Sequence, residues 1–198
     1  LGPQRPKLPK DIPDEKTTTA FLNRPDLGRP DGVRDRAVLE LLYSSGLRNK
    51  ELRDLCLGDV DLRNKLVRVR RGKGGKGRIV PLGIKATQAI QRYLETSRPR
   101  HLKIQEESHL FLTERGDPLK EFNVRWIIIH YRHTSEKTRK MTAHTLRHAC
   151  ALHMLRGGAP IEAIQELLGH RRLSTTQIYT RLYPKDLKDT HQKYHPRR

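Results

Sequence analysis

One short run of this chain brings a guanidinium and two imidazoles together. His144-Thr145-Leu146-Arg147-His148 opens a helical stretch. At about 100° per residue, positions 144, 147 and 148 share one sector of the helix, while Leu146, Ala149 and Cys150 fall opposite and are expected to pack inward. That face joins an anion-binding group to two proton-exchanging ones. Arginine stays charged and donates paired hydrogen bonds, and imidazole exchanges protons near neutrality. Two histidines at i and i+4 also fit a metal pair. No third Cys, Asp or Glu ligand is placed nearby, so no metal is expected. Leu167-Leu168-Gly169-His170 follows; its glycine is expected to end a helix and aim His170 back toward the first helix. Tyr179 comes nine residues later, and upstream Gly46-Leu47-Arg48-Asn49 places Arg48 at a helix start.

A second stretch, Arg70-Arg71-Gly72-Lys73-Gly74-Gly75-Lys76-Gly77-Arg78-Ile79-Val80-Pro81, contains G-x-G-x-x-G. A dinucleotide loop needs a strand before it and a helix after it. Here Leu66–Val69 and Arg78–Leu82 both read as strands, so the glycines form the tip of a basic hairpin. A Walker A reading fails as well, because Arg78 and Ile79 stand where Lys and Ser/Thr are required.

Composition frames both observations. Of 198 residues, 41 are Lys or Arg and 22 are Asp or Glu, a net charge of +19, while hydrophobic residues make up 34%. That balance points to nucleic acid, with a basic scaffold protein as the plain alternative. Cys56 and Cys150 lie far apart among apolar residues and read as small buried hydrophobes. A reducing cytoplasm fits them better than a disulfide framework. No apolar run approaches a membrane span, and no signal peptide is expected.

The elements that must position these residues are mostly helical. Residues 1–14 carry four prolines and read as a linker or arm, with 15–198 as one domain. Helices are expected over 34–44, 49–57, 85–95, 121–132, 145–155, 161–168 and from 174 onward, with a further one over 186–194. Leu110-Phe111-Leu112 is expected to add a third strand to the hairpin. Residues 133–140 read as a charged, mobile loop. The expected class is α+β: a helical bundle with a small three-stranded antiparallel sheet.

The stretches "SGLRNKEL", "GKGGKGRIVPLG", "HTLRHACALHML", "IQELLGH" and "LSTTQIYT" together resemble the catalytic domain of tyrosine recombinases, the phage integrases, and most of all their Xer branch. The resemblance covers roughly residues 8–195. It implies the fold of DNA breaking-rejoining enzymes, and it implies roles. Tyr179 attacks the scissile phosphate, leaving a 3′-phosphotyrosyl link and a free 5′-hydroxyl. Arg48 and Arg147 bear the charge on the non-bridging oxygens, His144 is general base, His170 hydrogen-bonds the phosphate, and Lys73 on the hairpin is general acid. Lys76, Arg78, Arg171 and Arg172 are expected on the DNA backbone. His148 is expected to support the phosphate site, and His153 to be a satisfied core histidine. No cofactor, metal or ATP is implied.

The implied partner is a double-stranded DNA site, worked by this chain or a sister recombinase as a tetramer on two sites, in the cytoplasm at the nucleoid. The tail past Tyr179 is implied to dock on a neighbouring protomer. The family's N-terminal core-binding domain is expected to be absent. Two other classes remain beside a site-specific recombinase. One is a related strand transferase such as a type IB topoisomerase or telomere resolvase. The other is a non-catalytic DNA-binding protein on the same fold. Taken alone, Arg48 also reads as a plain partner of Glu51 or Asp54.

Overall fold

Proline at a first helical position and glycine just past the last one bracket a helix from both sides. Pro30 and Gly46 do this for α2 (Pro30–Ser45), and Gly46 takes the left-handed conformation at φ 57°. Thirteen of its sixteen residues are buried, so α2 is the central helix rather than a surface one. The charges it carries inward are paired: Arg34 with Asp35 at 2.8 Å, and Glu40 with both Arg36 and Arg197 at 2.9 Å. The computed structural model describes residues 12–70, 77–132, 136–169 and 184–197.

Around α2 stand α1 (Glu15–Leu22), α3 (Asn49–Arg53), α4 (Ile84–Arg92), α5 (Arg98–His101), α6 (Glu121–Arg132), α7 (Ala143–Arg156), α8 (Ile161–Leu168) and α9 (Pro184–Tyr194). A π-helical turn, Tyr93–Ser97, joins α4 to α5. Leu39, Leu42, Tyr43, Leu52, Ile90, Leu146 and Cys150, all within the core, show how α2, α3, α4 and α7 share one interior. Among the described residues no helix is long and apolar enough to cross a membrane.

The sheet is antiparallel in the order β1 (Val60–Asp61), β2 (Leu66–Val69), β3 (Arg78–Pro81). Val60 pairs with Val67, Val67 with Val80, and Val69 with Arg78. The expected class is therefore observed, with a different third strand. Leu110-Phe111-Leu112 forms no strand; Leu112 makes only an isolated bridge to Pro118, and its N–H bonds the Tyr93 hydroxyl at 3.0 Å. β1 takes that place because a tight turn folds it onto β2: Asp61 accepts from the Asn64 N–H at 2.8 Å, and Lys65 is left-handed at φ 55°. The second expected helix stops at Arg53, short of 57, where a 3-10 turn over Leu57–Asp59 begins. Cys150 is buried, whereas Cys56 is only half-buried.

α9 closes the fold. The last carbonyls of a helix lack partners within it. The Nε2 atoms of His191 and His195 donate to the carbonyls of Ser44 and Tyr43, at 2.6 and 3.3 Å, at the end of α2. Arg197 joins Glu40 beyond them. Within its own chain this tail lies against β3, α7 and α8 and the end of α2.

Candidate phosphate-binding cleft

Three sequence features converge at the end of α2. Gly46 turns the chain, Arg48 follows as the N-cap residue of α3, and α7 begins nearby with Thr142 as its cap. The Thr142 hydroxyl accepts from the Thr145 N–H at 3.0 Å, which starts α7 two residues earlier than its periodicity suggests. Arg48, His144 and Arg147 then line one open cavity of about 490 Å3. The sector argument holds: Leu146, Ala149 and Cys150 are buried on the other side, and His144 is exposed.

Arg147 is the deepest of the three, only 4% exposed. Its two terminal nitrogens donate to the carbonyls of Gly46 and Leu168. A guanidinium has five N–H groups, so donors remain for a group in the cavity. Arg48 sits nearer solvent. One of its terminal nitrogens donates to Glu51 at 2.7 Å, and its own N–H donates to the other oxygen of that carboxylate at 2.9 Å. The pairing of Arg48 with Glu51 and its place in the cleft therefore coexist.

Glu51 is what the sequence reading passed over as a site residue. It also accepts a two-pronged bond from Arg78, at 2.9 Å to each oxygen. Burial would raise its carboxyl, but the hydrogen bonds from Arg78 and Arg48 outweigh that and hold it at about 2. Its position three residues after Arg48 was the visible signal; the arm from Arg78, 27 residues on, was not.

Arg78, expected on the DNA backbone, has a side chain that is 12% exposed, and its Nε bonds the Leu167 carbonyl at 3.0 Å. Its stem packs under Gly169, whose φ is 63° and where an added Cβ would sit 3.2 Å from the Arg78 Cδ.

Among the described residues, Arg48 and Arg78 share the Glu51 carboxylate, Arg147 bonds the carbonyls of Gly46 and Leu168, and Lys50, Arg53 and Glu121 line the same cavity. Burial first, and then the charge of Arg48, press the Arg147 guanidinium down to about 10. It stays cationic near neutrality and is short of an anion. Beside it, His144 and His148 meet edge-on with ring centres 4.2 Å apart. Burial, and then the charges of His144 and Arg147, lower the His148 imidazole below its usual range. His153 is fully buried and satisfied, bonding the Tyr43 hydroxyl at 2.8 Å and the Pro13 carbonyl at 3.0 Å. Lys73, Lys76, His170, Arg171, Arg172 and Tyr179 lie outside the described residues. His170 follows Gly169 directly, from a point held by Arg78 and Arg147, and the glycine stretch with both lysines joins β2 to β3.

The pattern described as the phage integrase family matches residues 14–186, most of the chain. The chain belongs to the phage integrase family. Its relatives in that family include the tyrosine recombinase XerC 2 of Ralstonia nicotianae, 42% identical over 98% of this chain and 56% of that protein. The tyrosine recombinase XerC of Pelotomaculum thermopropionicum is 43% identical over 97% of this chain and 65% of its own. The chain thus spans less than two thirds of these relatives. Among solved structures, a XerA recombinase matches with a TM-score of 0.69 at 29% identity, over 97% of this chain and 68% of that one. XerH bound to a difH substrate in a pre-cleavage complex matches at 0.67 and 25% identity, over 92% and 53%.

Proposed function

We propose that this chain is the catalytic domain of a site-specific DNA recombinase that cleaves and rejoins a duplex through a 3′-phosphotyrosyl intermediate. The observation that supports it is the cationic surplus of the cavity, which Arg48, Lys50, Arg53 and Arg147 line against Glu121, while the Glu51 carboxylate is shared by Arg48 and Arg78. A scissile phosphodiester supplies the missing negative charge. As the phosphorus becomes five-coordinate, charge grows on its two non-bridging oxygens, and Arg48 and Arg147 meet it with preset donors. Lacking a proton to give up near neutrality, the arginines act electrostatically only.

Tyr179 is the nucleophile in this reading. Its phenol oxygen bonds to phosphorus as the bond to the 5′-oxygen breaks, and the phosphodiester energy is kept for rejoining. His144 takes the phenol proton, His170 bonds the phosphate, and Lys73 protonates the departing 5′-oxygen. Lys76, Arg171 and Arg172 hold the DNA backbone. The net charge of +19 supports double-stranded DNA as the partner. Four such domains on two sites, acting at the nucleoid in the cytoplasm, complete the proposal.

The test offers the chain a library of nicked duplexes with random sequence around the nick and recovers adducts that survive SDS. A recombinase domain yields adducts enriched for one sequence. Adducts without enrichment favour a topoisomerase-like strand transferase, and no adduct at all favours a non-catalytic DNA-binding protein.

A further inference from the structure

Arg78 stands on β3 opposite Val69, at the base of the hairpin that carries Lys73 and Lys76. Its side chain reaches two other parts of the fold at once. The two terminal nitrogens grip both oxygens of Glu51, which in turn holds Arg48 by side chain and by backbone. The Nε bonds the Leu167 carbonyl near the end of α8, and the stem fills the space under Gly169, one residue before His170. We propose that Arg78 is a positioning residue for strand cleavage: through Glu51 it sets the reach of Arg48, and through Leu167 and Gly169 it ties the hairpin base to the end of α8. This rests on the recombinase reading above.

The chemistry of the group explains why it is arginine. Only a planar fork with a third N–H at its base can hold two carboxylate oxygens and a carbonyl together. A lysine ammonium is a single point and must choose among them. The hairpin base, the α3 start and the α8 end then lose their common tie while the charge is kept. Misplacing a phosphate-binding group by about 1 Å costs up to about a hundred-fold in rate. Binding is spread over many backbone contacts and is little affected by one buried arginine.

The experiment compares wild type with Arg78→Lys and Arg78→Met. Single-turnover adduct formation at saturating nicked DNA is measured alongside Kd and thermal unfolding. Arg78→Lys is expected to slow cleavage by ten-fold or more, on the order set by small misplacements, with Kd nearly unchanged. In Arg78→Met the buried Glu51 carboxyl loses its main partner and rises. Its cleavage is then expected to fall as the buffer goes from about pH 8 to about pH 5, more steeply than in wild type. On a Glu51→Gln background, Arg78→Lys should cost little more. NMR of the Arg48 Nε–H gives a readout that needs no activity: the signal should shift or broaden in Arg78→Lys. If wild type forms no adduct, the recombinase reading fails, and this signal alone decides the coupling. A weakened Kd with normal saturated rates overturns the proposal and makes Arg78 a DNA contact. So does an unmoved Arg48 signal, or a loss of stability without change in the pH profile.

Discussion

The carbonyl of Gly46 accepts a hydrogen bond from the Arg147 guanidinium, so the residue that ends the central helix also aims an arginine of the cleft. Gly46 holds φ at 57°, and a Cβ there would lie 2.7 Å from the Leu168 Cδ2. Gly46→Ala therefore meets both left-handed strain and a clash, expected to cost about 2–3 kcal/mol. The measurement is urea unfolding with an unchanged slope, read beside adduct formation under conditions where the variant stays folded. Cleavage should fall further than DNA affinity, because the Arg147 fork loses its seat.

Acid should loosen the tail of the chain. Burial disfavours the charged form of three histidines, His153, His191 and His195. The His195 Nδ1 accepts from the Arg197 N–H at 3.1 Å while its Nε2 faces the Tyr43 carbonyl. The His153 ring lies between the Tyr43 hydroxyl and the Pro13 carbonyl, and His191 stacks on His195 at 4.5 Å. Burial presses His191 down to about 4 and His195 well below its usual value. The unfolded chain thus binds protons that the folded chain refuses, so stability rises with pH between about 4 and about 6.5 and falls on acidification through that window. His191→Gln should flatten that slope in a plot of unfolding free energy against pH. An unchanged slope would take His191 out of the account.

Much of this architecture was legible because local patterns agreed with the fold. The bounds of α6 and α8 follow from apolar spacing that tertiary packing does not disturb. Arg48, His144 and Arg147 could be placed at helix starts for the same reason. What escaped was decided at a distance. The Arg78–Glu51 fork joins residues 27 apart and the Arg78–Leu167 bond residues 89 apart, and neither leaves a trace in composition. Leu110–Leu112 has the apolar character of a strand, yet the short β1 won the sheet through the Asp61–Asn64 turn. In α2, the Pro30 signal for an earlier start was present and carried more weight than the apolar run from 34.

The hairpin lysines can be told apart by leaving-group chemistry. A 5′-oxygen must be protonated as it departs, whereas a sulfur in its place leaves as thiolate. Lys73→Ala should cleave ordinary DNA poorly, by a factor on the order of 10² or more, and regain most of the loss on the sulfur-bridged substrate. Lys76→Ala should lose affinity and show no selective rescue. Rescue of Lys76→Ala alone would move the general acid to that residue, and rescue of neither would leave the hairpin as a DNA-contact loop.

The central claim is that the arginine cleft serves a tyrosine nucleophile, and it is tested by removing one oxygen atom. Tyr179→Phe keeps the ring, so folding and DNA affinity should match wild type. The measurement is SDS-stable adduct on a nicked suicide duplex, with Tyr183→Phe as the companion variant. The account predicts no adduct with Tyr179→Phe and normal adduct with Tyr183→Phe; adduct persisting in Tyr179→Phe would contradict it.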